Sequence, residues 1–91
     1  MSVNHGVELQ VFVEVGCEMC DRALQLAASV DNAYPRLTVS IVDVRDDTGH
    51  EEDVFAVPTF MLNGRVLSLG NPQSSYLHGE IESLLRESGL V

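Results

Sequence analysis

The chain has 91 residues, with five basic residues, all arginine, against 14 acidic ones, for a formal charge of −9. A chain this short is expected to form one domain over 1–91, and its charge argues against nucleic acid or an anionic membrane as partner, since either requires a cationic face. Apolar residues make up 45% of the sequence and tryptophan is absent, so an aliphatic core is expected rather than disorder. The opening MSVNHGVELQ has no basic segment leading into an apolar run, so no secretory signal is read there. The longest apolar runs fall far below the roughly 20 residues of a membrane span. Two cysteines are too few for a disulfide-stapled secreted fold, and the expected location is cytoplasmic.

Val7 to Val15 (VELQVFVEV) alternates apolar residues with Glu8, Gln10 and Glu14, the period of a strand. Phe12 interrupts the polar face, which predicts an interior strand buried on both sides. Gly16 breaks the pattern. From Cys20 the apolar residues Ala23, Leu24, Ala27 and Ala28 recur at helical spacing, and Asp31-Asn32 and Pro35 end that helix. Leu37 to Val44 is rich in β-branched residues and reads as a second strand. Asp46 to Asp53 is an acidic loop, followed by a short helical turn near Glu51 to Phe55. Two apolar runs, PTFML and RVLSL, flank Asn63-Gly64, the dipeptide that best accommodates positive φ in a tight hairpin. Gly70 ends the last strand. Asn71-Pro72 then supplies a cap and a proline for a closing helix lined by Leu77, Ile81, Leu84 and Leu85, weakened at Gly79 and stopped at Gly89. The order β-α-β then β-β-α implies an α/β fold, with a parallel pair extended by an antiparallel hairpin into a mixed four-stranded sheet and helices packed on it.

Cys17-Glu18-Met19-Cys20 falls at the junction of the first strand and the first helix. Across the first turn of a helix, two cysteines at this spacing can bring their sulfurs into bonding range. Cys17 would sit where the helix amides and dipole favour an anion, with Cys20 one turn inward. That asymmetry suits thiol–disulfide exchange, in which Cys17 attacks and Cys20 resolves. Two other readings compete: a metal site, which lacks a second ligand pair because His5, His50 and His78 are scattered, and buried thiols used only for packing.

The chain resembles a small thioredoxin-fold protein over nearly its whole length. The likeness runs from VFVEV into Cys17–Cys20, through Ala56-Val57-Pro58-Thr59-Phe60, to Asn63-Gly64-Arg65-Val66 and Gly70. The resemblance implies a cis bond at Val57-Pro58 packed against the disulfide, and a Val57 backbone that pairs with an extended partner segment. It implies catalysis by Cys17 and Cys20, substrate contacts at Val57 and Pro58, and no cofactor beyond the Cys17–Cys20 disulfide; Met19, by its place between the cysteines, is expected to be exposed and to contact the partner. The implied partners are protein disulfide substrates and a dithiol reductase, with the chain acting as a monomer. Some positions depart from the pattern: Gly16 replaces the family's tryptophan, Glu18-Met19 replaces Gly-Pro, and Val11 stands where thioredoxins bury an acid. Water or Glu14 is then left to take the Cys20 proton. The glutaredoxin markers are missing, so glutathione binding is not implied.

Glu14, Glu18 and Asp21 crowd the cysteines, with Arg22 the only nearby cation. Carboxylates disfavour a thiolate and so favour the disulfide, which points to a reductant rather than an oxidant. A second acidic concentration, Asp43, Asp46, Asp47, Glu51, Glu52 and Asp53, is read as a solvated face that can steer a basic partner. Phe55, Met19 and Phe60 are the candidates for apolar surroundings of the disulfide, with Phe60 expected in the core.

Overall fold

The structure is a computed structural model and describes residues 6–44 and 56–89. The expected turn at Glu51 to Phe55, Phe55 itself and the acidic loop from Asp46 to Asp53 lie outside the described residues. The elements run β1 (Val7–Val13), α1 (Glu18–Ala33), β2 (Leu37–Asp43), β3 (Thr59–Leu62), β4 (Arg65–Leu69) and α2 (Ser74–Glu87).

The four strands form one mixed sheet in the order β2-β1-β3-β4. β1 pairs in parallel with β2, Val7 opposite Leu37 through Val13 opposite Asp43, and antiparallel with β3, Phe12 opposite Thr59. β1 is therefore interior, and Phe12 is buried at 1% exposure on the face opposite Val7, Leu9 and Val11. Two corrections concern where elements start and stop. β1 ends at Val13, not Val15, because the Cys17 N–H donates to the Glu14 carbonyl at 3.2 Å and turns the chain, leaving Val15 exposed. α2 starts at Ser74 with Gln73 as its N-cap, so Asn71 and Pro72 precede the helix.

Asn63 (φ 51°) and Gly64 (φ 82°) both occupy the left-handed region, as a type I′ turn demands. Asn63 also fixes the hairpin against β1. Its N–H donates to the Glu8 carbonyl at 2.9 Å, and its Oδ1 accepts from the Glu8 N–H at 2.8 Å. The β3–β4 register slips between Phe60 and Met61, leaving Leu67 as the extra residue of a bulge.

One apolar cluster joins Val7, Leu9 and Val11 of β1 to Ala23, Leu26, Ala27 and Val30 of α1, Leu37, Phe60 and Leu62 of the other strands, and Leu77, Ile81 and Leu85 of α2. Both helices thus pack on the same face of the sheet. Each large aliphatic side chain buried there contributes about 1.5–3 kcal/mol. On α1 the expected stripe is partly corrected: Cys20, Ala23 and Ala27 are buried as read, but Leu24 and Ala28 are exposed and Leu26 and Val30 take their place. The helix is turned by about 60° from that reading, at 100° per residue.

Candidate functional site: the Cys17–Cys20 disulfide

Cys17 is the N-cap of α1, in extended backbone (φ −87°, ψ 114°). Gly16 before it has φ 89°, a conformation that glycine adopts without a Cβ penalty, and it sends the chain from strand to helix. The Cys20 N–H donates to the Cys17 carbonyl at 3.2 Å, which closes the first turn. The two residues form a disulfide with their Cα atoms 5.3 Å apart. Cys17 is half-buried, whereas Cys20, one turn inward, is 4% exposed. Of the two residues, Cys17 is thus the one that reaches the surface.

Met19, between the cysteines, projects into solvent at 56% exposure, and Val15 beside the turn stands at 72%. Glu18 and Asp21 occupy the first turn of α1, where their charges suit the helix dipole.

The Val57–Pro58 peptide bond is cis, with Pro58 fully buried and Val57 half-buried. Pro58 immediately precedes β3, whose first residue, Thr59, lies opposite Phe12 near the end of β1. The proline segment and the cysteine turn therefore occupy the same end of the sheet. The Thr59 hydroxyl donates to the Ala56 carbonyl and the Gly70 N–H donates to the Pro58 carbonyl at 2.7 Å, so the segment is held from both sides. Phe60 is wholly buried.

Asn71, expected as the cap of α2, has a different partner. Its Nδ2 donates to the Met19 carbonyl at 3.0 Å and ties the β4–α2 connection to the cysteine turn. Nothing local signals this, because the partners are 52 positions apart. At the far end of α1, the Tyr34 hydroxyl donates to Glu82 Oε2 at 2.6 Å and accepts from His78 Nδ1 at 3.0 Å. In the neutral ring, His78 Nε2 is left to accept from Ser29 Oγ at 3.3 Å. Burial first, then the hydrogen bond and charge of Glu82, push the Tyr34 hydroxyl up from 10.0 to about 12. Among the described residues no group of three or more His, Cys, Asp or Glu side chains converges on one point, and no helix is long and apolar enough to cross a membrane.

No family model matches the chain, and no curated protein matches it in sequence. Its architecture is nonetheless that of thioredoxins. A mutant thioredoxin from Halobacterium salinarum superimposes with a TM-score of 0.75 at 22% identity, over 87% of this chain and 74% of that one. Fasciola hepatica thioredoxin gives 0.73 at 19% identity over 87% and 81%, and mitochondrial thioredoxin 3 of Saccharomyces cerevisiae gives 0.70 at 23% over 88% and 80%. The chain has a thioredoxin fold, with a cysteine pair in disulfide form at the start of α1.

Proposed function

We propose that the chain is a thiol–disulfide oxidoreductase of thioredoxin type that reduces protein disulfides. The observation that carries this reading is the unequal exposure of two disulfide-bonded cysteines at a helix N-terminus: Cys17 half-buried, Cys20 at 4%. In the dithiol form, the Cys17 thiolate attacks one sulfur of a substrate disulfide. A mixed disulfide forms and the first substrate thiol leaves. The Cys20 thiolate then attacks Cys17 Sγ, which re-forms the Cys17–Cys20 bond and releases the second substrate thiol. Two electrons and two protons pass to the substrate, and a dithiol reductase restores the chain. No further cofactor enters the scheme.

Met19 supplies an exposed apolar contact between the cysteines, and the Val57 backbone beside Pro58 receives an extended partner segment as an added strand. The carboxylates of Glu14, Glu18 and Asp21 favour the disulfide over a Cys17 thiolate and so support work in the reducing direction.

Two assays test the reading. The reduced chain is expected to reduce insulin disulfides, and Cys20→Ser is expected to retain partners on Cys17 as mixed disulfides released by dithiothreitol. Inactivity on insulin together with no captured protein would sink the proposal; capture by Cys17→Ser alone would reverse the two roles.

A further inference from the structure

Two consecutive residues, Gly70 and Asn71, bridge the two halves of the site. The Gly70 N–H donates to the Pro58 carbonyl at 2.7 Å, and its own carbonyl accepts from Ser68 Oγ at 2.8 Å. With both backbone groups engaged, and φ at 96°, Gly70 fixes where the next residue begins. Asn71 then reaches the cysteine turn through Nδ2, 3.0 Å from the Met19 carbonyl. Its Oδ1 is closed off from solvent with no hydrogen-bond partner among the described residues. A buried acceptor left unmatched is costly, so the side chain is held there for its donor.

The peptide unit that Asn71 grips is the one joining Met19 to Cys20. At its other end, the N–H of Cys20 donates to the Cys17 carbonyl at 3.2 Å. The unit is thereby held at its oxygen from the β4–α2 connection and at its nitrogen from Cys17. Its orientation sets the placement of Cys20 relative to Cys17, now 5.3 Å between Cα atoms.

We propose that Asn71 is a positioning residue for the dithiol–disulfide pair: by holding the Met19 carbonyl it keeps Cys17 and Cys20 at bonding separation and raises the effective concentration of each thiol toward the other. Its importance for catalysis rests on the oxidoreductase reading above, but the quantity it controls is a property of the chain alone. In glutathione buffer that quantity is an equilibrium. The Cys17–Cys20 bond breaks, two glutathione thiols join as glutathione disulfide, and two electrons and two protons pass to the protein.

The test measures this equilibrium for the wild type, Asn71→Ala, Asn71→Leu and Asn71→Gln. Asn71→Leu keeps the bulk and the neutral charge but lacks the donor; Asn71→Gln keeps the amide donor. Loss of one hydrogen bond at a partly exposed position predicts a shift toward the dithiol of about two- to fivefold for Ala and Leu, with Gln recovering part of it. Urea midpoints of oxidised and reduced forms are measured alongside. A positioning role lowers the oxidised form's midpoint more than the reduced form's. An unchanged equilibrium constant, with both midpoints lowered equally or not at all, would overturn the proposal. Insulin reduction by the wild type separates the two ideas: a shifted equilibrium without insulin activity defeats only the oxidoreductase reading, and insulin activity with an unshifted equilibrium defeats only the role of Asn71.

Discussion

At the scale of single residues, the polar contact between the two helices is where ionisation meets stability. Tyr34 donates to Glu82 at 2.6 Å in a half-buried setting, and its hydroxyl pKa rises from 10.0 to about 12. A folded-state pKa above the unfolded one means the folded chain holds that proton more tightly. The resulting stabilisation is complete below the unfolded value near 10 and is lost as pH rises through about 12. Tyr34→Phe is expected to cost about 1 kcal/mol at neutral pH, a figure for one hydrogen bond to a partly solvated carboxylate. The difference between wild type and Tyr34→Phe, followed by urea denaturation, should shrink across that alkaline window. The chain has two tyrosines and no tryptophan, so in a Tyr76→Phe background the tyrosinate absorbance belongs to Tyr34 alone. A midpoint at the ordinary tyrosine value would show that Glu82 does not hold the hydroxyl.

Among the elements, α2 shows how local chemistry and packing divide the work. Leu77, Ile81 and Leu85 recur at spacing four, and all three are buried. Gly79 sits on the exposed side of the same helix, where a Cβ would meet nothing within 4 Å. Gly79→Ala is therefore expected to stabilise the fold by about 0.5–1 kcal/mol, through helix propensity and a less free unfolded chain. A raised denaturation midpoint at unchanged m-value checks this, and a lowered one would mean that the helix needs glycine there for a reason its surroundings do not contain. What the sequence discloses follows the same division. The Asn63-Gly64 turn is legible because its backbone conformation is written in two adjacent residues. The interior place of β1 is legible because Phe12 breaks an alternation that an edge or one-sided strand would keep. α1 is less so: apolar residues flank its Cys20–Ala23–Ala27 line on both sides, and only the sheet and α2 decide that Leu26 and Val30 go inward while Leu24 does not. Asn71 misleads for a related reason. An asparagine before proline carries the local signature of a cap, whereas its actual partner, the Met19 carbonyl, is fixed by tertiary structure. The cysteine pair is readable by spacing, but its tether is not.

Taken as a whole, the chain carries a formal charge of −9. At about 0.01 M salt the screening length is about 30 Å, so acidic groups on opposite sides repel; at about 0.15 M it is about 8 Å, and only neighbours do. Exposed ion pairs such as Arg86–Glu82, at 3.8 Å, offset little of this. Salt added over that range is expected to stabilise the fold by about 1 kcal/mol, or about 4–8 °C in Tm for a domain of this size. For the proposed chemistry salt works in the opposite direction. Glu14, Glu18 and Asp21 lie beside the cysteines, so a cationic partner is drawn toward Cys17 and an anionic one is repelled. Two peptide disulfides that differ only in lysine or glutamate flanks should then be reduced at rates that diverge at low salt, the lysine peptide faster, and converge as salt rises. Because the fold is gaining stability over the same range, slower reduction of the lysine peptide cannot arise from unfolding. Equal rates for the two peptides at low salt would mean that the acidic residues around Cys17 act on the fold's self-repulsion and not on the choice of partner.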